Sequence, residues 1–487
     1  MAGRRGTRQP VTDGATRAGE RMPIPMGVIA ETGETHPELS EAALQHIVPD
    51  DATSLGPAAG RRAMAFVEDP MNLSQAGWSI LFASDADPAI VEALTPLIEW
   101  RRAQVNDERA FKVFTGPSGV GAGQTAQHWA ASRGISLSAP VMPRRGVPYY
   151  LMIVGSPARI SIEFQAQLDL QRAVGRLHFD TAGDYAAYVE NLIAYEKGLA
   201  PPQRKRAAVW MPRNPMDLAT ALLAGSVLPE FRGESAPGEQ PLGTEQGFDV
   251  TTLTGDGQAT KARLTSLLSS ANGDTPALLF TGSHGAEWPL ASPELQRERQ
   301  GALVTQEWSR GRPLSDDCYF AASDLPSNAA VHGLVMFLFA CFGGGCPVSD
   351  TYYYGPGGSP LPLAAEPMTA RLPQTLLRRG AVAVIAHVDR AFSYAFEDVL
   401  GTPQAQLLRL PLEQLLSGRR VGLAMEPLNQ QWSSLAAQLG VLLGGATGDP
   451  PPRPPAIANL FIARDDARNY IVLGDPAARL RTESMIG

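Results

Sequence analysis

Several short runs in this chain are almost entirely apolar, and this limits the folds open to it. They are PALLFTG (276–282), GLVMFLFA (333–340) and AVAVIAH (381–387). Parallel strands that are covered on both faces have continuous apolar sequences, whereas half-exposed strands alternate apolar and polar residues. Amphipathic stretches of helical length separate the runs. The sequence therefore predicts an α/β fold with mainly parallel sheets flanked by helices.

The same alternation begins near residue 78 and continues to the end of the chain. Four earlier runs predict strands (WSILFAS, FKVFTG, YYLMIVG and RAAVWMP), and NLFIA and NYIVLG predict two more after the Pro-rich segment GDPPPRPP. A break near residues 198–206 predicts two α/β subdomains, 71–200 and 201–487, which together form the bulk of the protein. Residues 1–70 predict a loosely ordered arm with one short helix around 37–47, and we expect no chemistry there.

Composition narrows the functional classes. The chain has 487 residues with a net charge of −8, which gives no electrostatic reason to bind nucleic acid directly. It shows no segment of signal-peptide pattern and no run of 18 apolar residues, so we expect a cytoplasmic protein without a membrane partner. Cys346 follows Cys341 by five residues, but without a second pair at zinc-finger spacing we expect no metal site and no cofactor. Cys318 and Cys346 are expected to be structural.

Three of the runs end in a side chain that can do chemistry. PALLFTG is followed by His284, GLVMFLFA by Cys341, and AVAVIAH ends in His387. Functional groups collect at the carboxyl edge of parallel sheets, and a thiol there needs a neighbouring base to ionise and to protonate a leaving amine. We expect Cys341 to be the nucleophile and His284 its base, with His387 as the competing base. Taken alone, each would be an ordinary buried residue.

Glycine follows both candidates. Gly285 comes after His284, and FGGG follows Cys341. A glycine lets a backbone N–H approach a substrate carbonyl without a Cβ in the way, so we expect the N–H groups of Gly285 and Cys341 to hold an oxyanion.

Five sequence blocks give a family resemblance. They are YYLMIVGSP (149–157), AVGRLHFDTAGDYAAYVENLIAYEKG (173–198), TGSHGAEW (281–288), FLFACFGG (337–344) and GAVAVIAHVDRAFSYAF (380–396). In this order they resemble the caspase-like cysteine peptidases of clan CD, and within that clan the gingipain family most. The resemblance implies a caspase-like fold in two α/β subdomains, with His284 as general acid and base and Cys341 as nucleophile.

The resemblance also implies how a substrate would be held. An acid before the Val-Gly-Arg strand would bind a basic side chain, and Asp169 is the nearest match, with Glu163 next. Tyr394 would line the same pocket, and Glu287 would orient His284 or the substrate. The expected function is a cysteine endopeptidase that cuts proteins after Arg or Lys.

The resemblance further implies restraint of the enzyme. We expect activation by a partner, by release of an inhibitory protein or by cleavage of its own loops, and by analogy a bacterial defence or cell-death setting. Two alternatives stay open. One is a catalytically inactive caspase-like module that binds peptides or partners. The other is a nucleotide-binding regulator built on FTGPSGVGAGQT (114–125), although this loop lacks the glycine and lysine of a Walker motif.

Overall fold

A ten-stranded sheet forms the framework of the protein. The computed structural model describes residues 23–37, 39, 67–137, 139–200, 202–255, 257–269, 275–443 and 454–487. The strands are β1 (Gly27–Ile29), β2 (Trp78–Phe82), β3 (Phe111–Phe114), β4 (Tyr150–Val154), β5 (Ala173–Leu177), β6 (Arg206–Met211), β7 (Asp249–Thr254), β8 (Leu278–Gly282), β9 (Gly285–Glu287), β10 (Leu303–Val304), β11 (Tyr319–Phe320), β12 (Val335–Phe339), β13 (Gly345–Cys346), β14 (Ser349–Tyr354), β15 (Pro360–Pro362), β16 (Met368–Thr369), β17 (Ala383–His387) and β18 (Tyr470–Gly474).

The helices lie mostly between these strands in the sequence. They are α1 (Leu73–Ala76), α2 (Pro88–Val105), α3 (Ala126–Ala131), α4 (Ile162–Asp169), α5 (Ala182–Glu196), α6 (Leu218–Phe231), α7 (Lys261–Ser269), α8 (Pro293–Arg299), α9 (Arg371–Arg378), α10 (Gln406–Leu416), α11 (Val421–Ala424), α12 (Glu426–Leu443) and α13 (Pro454–Arg468). Polar N-cap residues begin several of them, because a side-chain oxygen accepts a backbone N–H of the first turn. Ser161 caps α4, Thr181 caps α5 and Asp217 caps α6 in this way.

The strand order in the large sheet is β3-β2-β4-β5-β18-β17-β12-β8-β6-β7. Neighbouring strands are parallel except β17 and β18, which are antiparallel. The predicted α/β class with a mainly parallel sheet is confirmed. The sheet is continuous across residue 200, so the division into subdomains at that point stays a prediction.

A buried ion-pair network joins the first half of the chain to its end. Arg101 of α2 is fully buried, and its guanidinium donates to Asp475 and to Glu196, each at 2.6 Å. Trp78 Nε1 donates to the same Asp475 carboxylate at 3.0 Å. The turn after β18 is therefore fixed to the helices that cover β2 and β5, which locks β18 into the middle of the sheet.

The structure confirms most predicted strands and corrects one. NLFIA (459–463) lies within α13, a helix of 15 residues, although its composition favours a strand. Apolar runs of this length do not distinguish a strand from a buried helix turn, and here the helix continues through residues 464–468, four of which are charged. NYIVLG forms β18, as expected. Of the predicted helix around 37–47, all but residues 37 and 39 lie outside the described residues.

A second, four-stranded sheet has the order β1-β9-β10-β11. Its strand β9 begins three residues after the end of β8, and β1 pairs with β9 in parallel. Part of the segment predicted to be a loose arm thus forms a strand at the carboxyl edge of the large sheet. No helix in the described parts of the chain is long and apolar enough to cross a membrane.

Candidate active site

His284 and Cys341 lie side by side at the carboxyl ends of two neighbouring strands. β8 and β12 are parallel, and Gly282 pairs with Phe339. His284 and Cys341, two positions further on, therefore lie next to each other on the segments that follow these strands. Gly285 shows how close the two chains are. A Cβ added there would lie 1.9 Å from the carbonyl oxygen of Cys341 and 2.8 Å from its nitrogen, so only glycine fits. The backbones of the two segments are therefore in direct contact, while a pairing of the Cys341 thiol with the His284 ring stays a prediction.

The imidazole of His284 is held from one side. Its Nε2 lies 2.9 Å from Asp217 Oδ2, and the ring is fully buried with Trp308 edge-on at 5.6 Å. A carboxylate only accepts hydrogen bonds, so Nε2 carries a proton, and in a ring with one proton Nδ1 has the lone pair. Among the described residues Nδ1 has no hydrogen-bond partner. This nitrogen is thus available as a base.

Asp217 is a site residue that the sequence analysis missed. Its Oδ2 also accepts from the backbone N–H of Thr220 at 2.9 Å and from the Thr220 hydroxyl at 2.6 Å. Burial opposes ionisation of Asp217, but the His284 ring and the hydrogen bonds from His284 and Thr220 outweigh it and hold the pKa of the carboxyl below its ordinary value. The residue reads as a helix N-cap in the sequence, which concealed its second role at the end of β6.

The thiol of Cys341 is covered. Its exposed fraction is 0%, its Sγ accepts from Ala391 N–H at 3.2 Å, and Ala391 O lies 3.6 Å away. Burial raises the pKa of this thiol to about 12, despite the opposing influence of Arg390 and of the Ala391 N–H. The thiol is therefore protonated in this state, and its ionisation requires a proton acceptor beside it.

Gly285 N–H, predicted as an oxyanion donor, points at a backbone carbonyl. It donates to Met26 O at 3.1 Å, and Met26 N–H donates in turn to Ala391 O at 2.9 Å. A peptide carbonyl, that of Met26, therefore already accepts the hydrogen bond of the Gly285 N–H.

His387, the competing base, is committed on both sides. Its Nδ1 lies 2.9 Å from Asp389 O, and its Nε2 lies 3.0 Å from Asp466 O and 3.2 Å from Asp466 Oδ1. Burial opposes protonation, but Asp466 and the Asp389 carbonyl outweigh it and raise the pKa of His387. With both ring nitrogens engaged, His387 fixes the chain around Asp389 and has no nitrogen left to offer the thiol.

Glu287 faces away from His284. Its Oε2 contacts Arg390 Nη1 at 2.8 Å and His36 Nε2 at 2.8 Å. Arg390 is buried and also donates to Asp350 Oδ2 at 2.6 Å and 2.9 Å. Burial opposes ionisation of Glu287, but Arg390 and His36 lower its pKa to about 2. Glu287 thus links Arg390 to the N-terminal segment that carries His36.

Asp169 and Glu163 lie on α4. Asp169 Oδ1 accepts from the backbone N–H of Val174 at 3.0 Å, and burial raises the pKa of its carboxyl well above the ordinary value. Glu163 is in the first turn and interacts with the charges of Arg176 and Arg468. No described contact joins either carboxyl to Cys341, so their substrate-binding role stays a prediction.

Tyr394 is buried. It lines a cavity together with Asp466 and Tyr470, and its hydroxyl has no hydrogen-bond partner in the described part of the chain. The cavity lies among α12, α13 and the segment after β17, and a pocket role for Tyr394 stays a prediction. Over the described ranges, no group of three or more His, Cys, Asp or Glu side chains is arranged to hold a metal ion.

The chain is similar in structure to proteases. One is described only as a protease, with a TM-score of 0.46 and 13% identity over 83% of this chain and 78% of the other. Another is the Arg-specific cysteine proteinase gingipain R, with a TM-score of 0.44 and 12% identity over 85% and 80%. A third is the Saccharomyces cerevisiae separase–securin complex, with a TM-score of 0.27 and 11% identity over 67% and 16%. No protein-family model and no curated protein matches the sequence.

Proposed function

We propose that the protein is a cysteine endopeptidase in which Cys341 is the nucleophile and His284 the general base and acid. One observation carries this proposal. By the register of β8 and β12, the two residues lie on adjacent segments of the chain. Asp217 contacts Nε2 of the His284 ring, and Nδ1 has no hydrogen-bond partner among the described residues. A nucleophile, a base and a group that orients the base form a recurring arrangement in nucleophilic catalysis.

The reaction follows from these positions. His284 Nδ1 takes the proton of the Cys341 thiol, and the thiolate attacks the carbonyl carbon of a peptide bond. In this proposal the oxygen of the tetrahedral intermediate is held by the N–H groups of Gly285 and Cys341, and both of these roles are predictions. His284 then gives its proton to the leaving amine. Water, deprotonated by the same ring, hydrolyses the thioester and restores the thiol.

Asp217 acts through His284. Its carboxylate keeps the proton on Nε2, so that Nδ1 is the basic nitrogen, and it stabilises the ring once both nitrogens are protonated. The helix cap formed with Thr220 fixes the carboxylate in turn. A catalytic tautomer is therefore set by the first turn of α6.

Substrate preference is a separate matter. Cutting after Arg or Lys would require a carboxylate in the pocket, but Asp169 is held by Val174 N–H and favours its protonated form. That preference and the bacterial defence or cell-death setting remain predictions from the family resemblance.

Two cysteines provide a matched test of the nucleophile. Cys341 and Cys346 are both buried and five residues apart. Hydrolysis of a quenched-fluorescence peptide library should fall at least about 10³-fold in Cys341→Ala and stay within about twofold in Cys346→Ala, because only the first removes the attacking sulfur. Turnover that survives in Cys341→Ala, or that is lost in Cys346→Ala, would mean that the nucleophile is misassigned.

The non-catalytic alternative needs its own control, because Cys341 is covered. Met26→Asp places a carboxylate in a fully buried position and should displace the covering segment. If neither the wild-type chain nor Met26→Asp hydrolyses any peptide, while both bind peptides, the module is a binding protein and the endopeptidase proposal fails.

A further inference from the structure

The N-terminal segment lies across Cys341 as an extended peptide with partners on both sides. On one side it runs antiparallel to residues 391–393. Met26 N–H donates to Ala391 O at 2.9 Å, and Ser393 N–H donates to Ile24 O at 3.2 Å. Pro25 stands between the two bonded residues, where no N–H is needed. The segment is therefore bound mainly through its backbone, the way extended peptides are recognised by a strand edge.

On the other side the segment pairs in parallel with β9. The register sets Gly27 against Gly285 and Ile29 against Glu287, and Ala30 N–H donates to Glu287 O at 2.9 Å. His36 adds the contact with the Glu287 carboxylate. The backbone hydrogen bonds on both sides thus fix the direction in which the segment crosses Cys341.

The position of one carbonyl is decisive. Met26 O accepts from Gly285 N–H, the donor that would stabilise an oxyanion. The residue after it, Gly27, lies against the thiol, since a Cβ there would be 3.2 Å from Cys341 Sγ and 3.5 Å from Cys341 Cβ. The Met26–Gly27 peptide bond therefore lies beside the Cys341 thiol, with its carbonyl oxygen on the Gly285 N–H.

We propose that Cys341 cleaves the Met26–Gly27 peptide bond of its own chain, an inference that rests on the endopeptidase function proposed above. The residue before the cut is an unbranched apolar side chain that is fully buried, and the residue after it has no side chain. Substrates of this class are extended segments with an apolar residue followed by glycine, which differs from the basic preference that the family resemblance implies.

The chemistry balances with groups already present. The thiol proton passes to His284, and the sulfur attacks the Met26 carbonyl carbon. The bond from that carbon to Gly27 N breaks, and His284 returns the proton to the new amine. Water then cleaves the thioester, which leaves a carboxylate on Met26 and restores the Cys341 thiol. Residues 1–26 are released as one product, and the remaining chain begins at Gly27.

The experiment follows the N-terminus of the full chain. The wild-type protein and Cys341→Ala are purified through a C-terminal tag, incubated, and examined by intact mass and N-terminal sequencing. We expect a wild-type chain that begins at Gly27 and a Cys341→Ala chain that keeps its original N-terminus. For attack within one molecule the rate should not change over a hundredfold range of protein concentration.

A pair of glycine variants makes the test specific. Gly27→Ala brings a methyl group against the thiol and should slow self-cleavage at least about tenfold, because small displacements of a reacting bond are costly. Gly225→Ala is the matched control, since a Cβ there has no neighbour within 4 Å. Self-cleavage at an unchanged rate in Gly27→Ala would contradict the placement of the bond.

Failure of this inference can be told apart from failure of the enzyme. An intact wild-type chain, together with a Met26→Asp variant that hydrolyses the peptide of residues 22–31 or any other peptide, would show an uncleaved blocking segment and would overturn self-cleavage alone. Intact chains with no hydrolysis by either protein would overturn the proposed function and self-cleavage together.

Discussion

His284 and His387 flank the strand of Cys341 on its two sides and are equally buried, but their ring nitrogens have different partners. His284 gives Nε2 to one carboxylate and keeps Nδ1 unpaired within the described structure, whereas His387 uses both nitrogens. Register adds to the difference. His387 is level with Phe339, two residues short of Cys341, while His284 is level with Cys341 itself. The hydrogen-bond partners of a strand-end histidine thus decide whether one ring nitrogen is left unpaired or both hold neighbouring segments in place.

The same substitution at both positions is the strongest test of this comparison. His284→Ala should lower kcat/KM about 10³-fold or more, because it removes the base of the proposed mechanism. His387→Ala should leave kcat/KM of the folded fraction within about tenfold. Kinetics on samples whose folded fraction is known from circular dichroism would measure both, and equal losses in the two variants would break the distinction.

Asp217→Asn sharpens the role of the partner of His284. We expect kcat to fall about 10²-fold with little change in KM, because an amide cannot hold the proton on Nε2 as a carboxylate does. Asn is as good an N-cap as Asp, so the melting temperature should hardly change. A variant with full activity would reduce Asp217 to a helix cap. Thr220→Val is a further control, which removes the hydroxyl bond to Asp217 together with the bond that the hydroxyl accepts from Asn214 N–H.

His387→Ala should instead lower stability. The loss removes the imidazole contacts of the Asp466 carboxylate and of the Asp389 carbonyl, which in the described structure keep only the backbone N–H groups of Phe392 and Phe342, and it costs about 3 kcal/mol in the free energy of unfolding. Urea unfolding of the wild-type protein and of both alanine variants would measure it. If His284→Ala proved the more destabilised variant, the assignment of the structural role to His387 would be wrong.

Asp389 gives the smallest expected effect, through pH. Burial, and then the nearby Asp350 charge, raise the pKa of the Asp389 carboxyl to about 7. Because the folded-state pKa exceeds the unfolded value, this group stabilises the fold fully below about pH 4, and the contribution is lost as pH rises through about 7. Asp389→Asn keeps the backbone carbonyl that His387 uses. The difference in unfolding free energy between the two proteins should shrink with falling pH between 8 and 5 if the native carboxyl titrates there, and a constant difference would contradict it.

The strand ends were predictable because the signal for a buried parallel strand lies within a few consecutive residues. Buried parallel strands need continuous apolar sequence, so the runs before His284, Cys341 and His387 revealed both the sheet and the edge where these residues meet. Asp217 was not predictable in its second role, since an Asp before a helix already has a sufficient reason to be there. Strand β1 was hidden for another reason. Three residues carry no measurable periodicity, and their partner in β9 lies more than 250 residues away.

Strand β18 has a consequence for the life of the protein in the cell. It lies between β5 and β17, in the interior of the sheet, yet it is formed by residues 470–474. A nascent chain that has emerged only as far as residue 469 presents two unpaired strand edges and lacks the strand that joins its halves. The two halves of the large sheet therefore cannot join before residues 470–474 have been synthesised, and a chain truncated at residue 469 should expose the edges of β5 and β17 and aggregate.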